Sequence, residues 1–524
     1  MPQTLTFPGV YVEEISSGVR TITGVSTSDT AFVDFFARGP VNDPVRITSF
    51  ADFQRRFGGL DRRSAASYAL QQYYLNGGQI AYVVRVTAGA AAAARATLVN
   101  GATDIVRVDA DNPGLWGQTL RVTVTAGAGS LFNLTVEEVK GGTVAGNQLT
   151  GGEVLVTETY FNLSMDPAAP RYAVDLVNNA SQLVNLTRLS AANSTTAPAA
   201  IANRRLEGNA GDDGHIPGTT DWNNNAANAL AQTGTKNGIF ALDKILPFVF
   251  NMLCIPAAAD LPDAAMRAVY SAAIAYCHDK RAFLLVDIPA TVNTTTAMNT
   301  WLGGTPTLVD DHAAVYFPRL VIADPLNNAR PLDVAASGTL AGVYARTDAA
   351  RGIWKAPAGT DAVLRNAGVA VTLNDLENGG LNQQGINVLR NFPIYGNVAW
   401  GARTLNGSNA AASEYKYIPV RRTALYIGES LYQGLKWVVF EPNDERLWAQ
   451  IRLNVGSFMN NLFRQGAFQG TNARQAYFVK CDGETTTQND INLGVVNIVV
   501  GFAPLKPAEF VVIQIQQMAG QLEV

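Results

Sequence analysis

Short apolar runs alternate with amphipathic stretches through much of the chain. "AFVDFF" from Ala31 predicts a buried strand. "SFADFQRRFGG" predicts a short helix stopped by glycines, and "SAASYALQQYYLNGG" a longer one capped at Gly77. The β-branched "QIAYVVRV" follows as a strand. The same texture returns later. "FVFNMLCIP", "RAFLLVDIP" and "AAVYFPRLVIADP" predict three strands, and "PDAAMRAVYSAAIAYCHDK" a helix that starts at a proline. Continuous apolar strands separated by helices argue for a parallel sheet covered on both faces.

Between these two blocks the period changes. After the alanine-rich joint "TAGAAAAARATL", the segments "LRVTVTA", "LFNLTVEEV" and "EVLVTETYFNLS" alternate apolar and polar positions between Gly/Asn/Asp clusters. The polar tract "NAGDDGHIPGTTDWNNNAAN" closes this region and is expected to be a surface loop. Residues 96–235 are therefore expected to form a β-rich domain inserted into an α/β domain made of 25–95 and 236–360. Residues 361–507 are expected to form a C-terminal domain. Its clearest element is the helix in "EPNDERLWAQIRLNVGSFMNNLFRQGAF", capped by Asn443. Leu447, Ile451, Val455, Phe458 and Leu462 form its apolar stripe. The fold class is α/β (α+β) and multidomain.

Both ends of the chain are patterned as extended arms. In 1–24, Pro8–Gly9 marks a turn. A short strand follows, with Val10 and Val12 on one face and Tyr11 and Ile15 on the other, Glu13 lying between them. At 508–524 a strand is expected over "AEFVVIQIQQ". Val511, Ile513 and Ile515 share one face; Phe510, Val512, Gln514 and Gln516 share the other. No lysine or proline interrupts either strand, so both keep long edges of the kind that pair with other chains. Two readings stay open from periodicity alone: pairing within the chain, or donation to neighbouring copies.

Composition narrows the function classes. The 524 residues are 47% hydrophobic and 16% charged, with a formal net charge of −4. Such a chain is no electrostatic match for nucleic acid or an anionic membrane. "MPQTLTFPGVYVEE" lacks the features of a secretory signal, and no apolar run is long enough to span a bilayer. Cys254, Cys277 and Cys481 are far apart and are expected to be small buried hydrophobes in a reducing compartment.

Catalytic chemistry is sparse. His215, His278 and His312 show no metal-ligand spacing. His215 is expected on a solvated loop and His278 at a helix C-terminus, where a cation is favoured. Asp287 ends a buried strand, and Asp310, Asp311 and Asp324 follow. A Mg²⁺ cluster is conceivable, but capping of loops and helices is the preferred reading. There is no Walker-type phosphate loop and no G-x-S-x-G elbow. No catalytic residue, metal or cofactor is expected.

Several segments, taken in order, carry a family resemblance. "FPGVYVEEISSG", "ETYFNLSMDPAAPRYAVDLVNNAS", "GIWKAPAG", "PVRRTALYIGESLYQGLKWVVFEPNDERLW" and "FVKCDGETTTQND…GFAPLKPAEFVVIQIQQ" resemble contractile tail sheath proteins, over nearly the whole chain. That family includes sheaths of phage tails, R-type bacteriocins and phage-like extracellular injection systems. The resemblance implies hexameric rings of this chain stacked helically around an inner tube protein, with baseplate and terminal cap proteins as further partners. It implies no nucleic acid and no direct membrane insertion. It also implies that the terminal arms join sheets in adjacent subunits, and that contraction drives the tube through a target envelope. Assembly is expected in a bacterial cytoplasm, as part of a phage-tail-like particle. An injection system is favoured over a virion tail. Lys480, Asp482 and Glu484 are candidates to face the tube, although a solvated turn is the plainer reading. Two alternatives come from other classes: a metal-dependent α/β hydrolase using Asp287, and an adhesin using 96–235.

Overall fold

The computed structural model describes residues 20–191, 194–207, 211–246, 250–512 and 514. The chain divides into two compact units, Ser26–Arg422 and Met1–Val25 with Thr423–Val524.

The larger unit is organised by an eight-stranded sheet. Its spatial order is Val45–Ile47, Ala81–Arg85, Thr30–Asp34, Met252–Cys254, Phe283–Val286, Ala313–Phe317, Asn387–Phe392 and Gly396–Ala399. The inner six are parallel. Only the two edge strands run antiparallel to their neighbours. The inner strands are apolar on both faces because helices cover both, among them Ala65–Asn76 and Asp263–Lys280. Ser64 caps the first by accepting from Ser67 N. Gly77 ends it at φ +115°, where a Cβ would sit 2.8 Å from that of Arg346. Pro262 precedes the second helix, as expected.

Two expectations change here. "AAVYFPRLVIADP" is two strands, not one. Pro318 has no N–H to extend the ladder, so Ala313–Phe317 stays in the large sheet. Leu320–Asp324 instead pairs antiparallel with Arg330–Val334 in a separate small sheet. The α/β part also does not end near 360. Asn387 sits opposite Tyr316 in the large sheet, and its side-chain amide donates to Val315 O (3.1 Å) and Arg403 O (2.7 Å). The segment expected to open a C-terminal domain therefore completes the large sheet, and this unit runs to Arg422.

The inserted region builds its own core. A six-stranded sheet contains Glu153–Leu163, Phe132–Lys140, Leu120–Ala126 and Ile201–Arg205. A three-stranded sheet contains Val184–Arg188, Thr103–Ala110 and Arg95–Asn100. Alternate residues such as Leu120, Val122, Val124, Leu134 and Val136 point into that core.

The polar tract expected to close the insert is not simply a loop, and its helix belongs to the large-sheet core and not to the insert. Thr220–Ala231 is a helix whose Thr219 cap accepts from Trp222 N. Trp222, Ala226 and Leu230, four residues apart, are buried in the core of the large sheet. The asparagines between them hid that stripe.

In the smaller unit, the helix Glu445–Arg464 buries Leu447, Ile451, Val455, Phe458 and Leu462, the stripe read from the sequence. Its cap is Asp444, which accepts from Arg446 N and Leu447 N. Asn443 instead accepts from Trp448 Nε1 (2.9 Å) and donates to Val495 O (3.0 Å). The start of the described chain is fastened to this unit: Arg20 N donates to Asn454 Oδ1, and Gly434 leaves room for Ile22. Cys254, Cys277 and Cys481 are all free and buried. No described helix is long and apolar enough to cross a membrane.

Candidate assembly site

The smaller unit presents a two-stranded antiparallel sheet, Tyr477–Lys480 with Val499–Phe502. Its register sets Tyr477 opposite Phe502, Phe478 opposite Gly501, Val479 opposite Val500 and Lys480 opposite Val499. Because side chains alternate, Tyr477 and Val479 share one face and Phe478 and Lys480 the other. The first face is partly buried, and Tyr477 Oη donates to Gly456 O on the long helix (3.3 Å). The second face is open, with Phe478 and Lys480 exposed. The Phe478 ring lies across Gly501, where a Cβ would come within 2.2 Å of it.

Two strands are marginal as a sheet. Among the described residues no third strand joins them. Val499 of the sheet is exposed, as are Val439, Phe440 and Leu493 elsewhere in the same unit.

The C-terminal arm follows this sheet directly. The strand expected over Ala508–Gln517 does not form within the chain over its described part: 508–512 and Gln514 belong to no sheet. Phe510, Val511 and Val512 are 75%, 81% and 83% exposed. Among the described residues no strand pairs with 508–512, so a pattern suited to a strand yields none there. Ile513, Ile515 and Gln516, and Val10, Tyr11, Val12, Glu13 and Ile15 of the other arm, lie outside the described residues.

Of the charged candidates beside this sheet, Lys480 and Glu484 are exposed. Asp482 is occupied locally: its carboxylate accepts from Glu484 N (3.0 Å) and Thr485 N (3.1 Å), shaping the turn.

Three carboxylates at strand ends are engaged in building the fold. Asp34 accepts from Phe35 N and Ala66 N, both at 2.6 Å, so it holds the start of Ala65–Asn76. Burial pushes its pKa up to about 8 against those two donors. Asp287 accepts from Ser337 N (2.9 Å) and Ser337 Oγ (2.5 Å), fixing the start of the helix Ser337–Arg351. Burial raises it to about 6. Asp324 takes Tyr68 Oη, Arg62 and Leu326 N.

Asp310 and Asp311 do not join Asp287 or Asp324. They meet His278 and His312 instead, a grouping that linear spacing does not reveal. His278 does lie in the last turn of its helix, as the sequence suggested. His215 is tied through its backbone to Ala88 (2.6 Å).

Residues 219–405 match the phage tail sheath protein central domain, and residues 410–518 match the phage tail sheath C-terminal domain. The fold is similar to the PVC sheath of an extracellular contractile injection system in its contracted state. That match has 20% identity and a TM-score of 0.58, over 98% of this chain and 99% of that one. The helical sheath of the anti-feeding prophage in its contracted state matches at 23% identity and TM-score 0.55, over 98% and 100%. A sheath tail protein from Listeria innocua matches at 15% identity and TM-score 0.58, over 93% and 96%. By sequence, no curated protein is matched. With the two matched domains together spanning more than half of its length, the chain belongs to the phage tail sheath family.

Proposed function

We propose that this sheath subunit polymerises into stacked hexameric rings around an inner tube. In this reading each copy's small sheet, Tyr477–Lys480 with Val499–Phe502, receives the terminal arms of its neighbours. The observation that carries it is the pairing of an unfinished two-stranded sheet with an exposed apolar arm, Phe510–Val512, which completes no ladder in its own chain. Added strands would satisfy the open backbone edges and cover Phe478 and Val499. A contact made head to tail between copies does not close on a pair, so it propagates into rings or helices.

Contraction then becomes rotation of rigid subunits that stay joined by their arms. Additional burial of a few hundred Å² per copy, at about 25 cal/mol per Å², is several kcal/mol, repeated along the cylinder. The protein's part is mechanical. Asp287 and Asp324, two of the carboxylates of the hydrolase reading, are committed to the helix start at Ser337 and to Arg62. In this reading the exposed Lys480 and Glu484 face the tube, and the particle is an injection machine and not a virion tail. Baseplate and cap proteins would close its ends.

Deleting Ala508–Val524, or residues 1–17, is expected to leave folded subunits that form no cylinders. Long tubes in electron micrographs from either truncation would exclude strand donation by that arm. Gene neighbours encoding a tube and baseplate without a capsid would support the injection particle; capsid genes would contradict it.

A further inference from the structure

We propose that His278, Asp310, His312 and Asp311 form a binding site for a divalent transition metal of the Zn²⁺ class. The site is separate from the assembly surface. Its ligand atoms all lie within 4.8 Å of one another. His278 comes from the last turn of the helix Asp263–Lys280; the other three precede the strand Ala313–Phe317. Two adjacent elements of the sheet core thus deliver imidazoles and carboxylates to one point. Nitrogen and oxygen donors in this mixture suit Zn²⁺ and its first-row neighbours better than Mg²⁺ or Ca²⁺.

The spacing is close to what a tetrahedral ion requires. Bonds of about 2.0–2.2 Å set ligand atoms about 3.4 Å apart. His278 Nε2 is 2.9 Å from Asp310 Oδ2, His312 Nδ1 is 2.8 Å from Asp311 Oδ1, and His312 Nδ1 is 3.5 Å from Asp310 Oδ1. Rotations that open the two shorter gaps by about half an ångström would admit the ion. The two rings already lie together, with centroids 3.6 Å apart. Asp310 is oriented from its own loop, since its Oδ1 accepts from His312 N at 2.7 Å. That contact does the work of an outer partner, leaving Oδ2 for the ion.

Arg421 bears on the fourth ligand. Its Nη2 is 2.9 Å from Asp311 Oδ1 and 2.9 and 3.0 Å from His312 Nε2 and Nδ1. Yet Asp311 Oδ1 is a buried atom without a properly aligned hydrogen bond. Its close neighbours are His312 Nδ1 at 2.8 Å and Arg421 Nη2 at 2.9 Å. In the same position the Arg421 guanidinium lies 4.3 Å from the centre of the Tyr415 ring. Arg421 thus touches both His312 and Asp311, and these two ligate the ion once the guanidinium turns away from them. The ion would tie the end of one core helix to the loop entering the next sheet strand.

The test uses the full-length chain, titrated with ZnCl₂ by calorimetry and with Co²⁺ by visible absorption. The His278 side chain is 45% exposed and lies at a helix end, so His278→Ala preserves the core; Asp310→Asn is the second variant. One saturable Zn²⁺ site per chain, a tetrahedral Co²⁺ spectrum, and at least tenfold weaker Zn²⁺ binding in both variants are expected. No saturable Zn²⁺ binding, or binding unchanged in His278→Ala, would overturn the assignment.

Discussion

Arg422 grips Asp348 through two parallel hydrogen bonds, Nη1 to Oδ1 at 3.0 Å and Nη2 to Oδ2 at 2.6 Å, with both side chains almost fully buried. The pair joins the helix Ser337–Arg351 to the first turn of Ile418–Gly434, and Arg422 also holds Thr27 O at 2.9 Å. Burial favours the neutral acid at Asp348 and the guanidinium opposes it. Removing one partner strands the other as an uncompensated buried charge. Arg422→Leu is therefore expected to cost about 3–5 kcal/mol. The double variant Arg422→Leu/Asp348→Leu should recover most of that loss in urea unfolding. A double variant no better than the single would refute the pairing as the cause.

Trp222 tests the reassigned polar tract. It is buried and meets Phe35 edge-on at 6.0 Å. Trp222→Ala should cost about 3–5 kcal/mol, as a large core truncation does. A loss below about 0.5 kcal/mol, typical of surface positions, would return 220–231 to the surface.

How much the chain discloses depends on how local the signal is. The stripe Leu447–Leu462 and the Gly77 cap were legible because spacing and a single glycine fix them. Trp222, Ala226 and Leu230 carry the same four-residue spacing, but polar neighbours diluted it. The split at Pro318 depends on which strand each half pairs with, and no local pattern states that. The grouping of His278 with His312 depends on sheet order, since neighbouring strands bring a helix end and a distant loop together. The arm strands stay expectations: 508–512 join no sheet, and a strand's partner is not written in the strand.

Asp287 makes a pH-dependent prediction. Its carboxyl is raised by burial from 3.8 to about 6, so the folded chain holds that proton more tightly than the unfolded chain. The stabilisation is complete below about pH 4 and is lost as pH rises to about 6, a span worth about 3 kcal/mol. Asp287→Asn keeps an acceptor for Ser337 N and offers its amide to Ser337 Oγ. The stability advantage of the native chain over this variant should be about 3 kcal/mol larger at pH 4 than at pH 7. An equal difference at both pH values would contradict the assignment.

Gly501 tests the receiving sheet without touching the arms. A side chain there meets the Phe478 ring, which is half exposed and able to swing away. Gly501→Val should therefore change subunit stability by less than about 1 kcal/mol. It should still lower the yield of assembled cylinders in sedimentation, because the displaced ring obstructs an incoming strand. Normal assembly in this variant would remove the Phe478 face from the interface.

The most direct measurement is a cryo-electron microscopy map of the assembled cylinder, traced through both chain ends. The account predicts that Val10–Ile15 and Phe510–Gln516 lie as added strands along Tyr477–Lys480 and Val499–Phe502 of adjacent copies. Arms folded back onto the small sheet of their own chain, or lying free of any sheet, would contradict it.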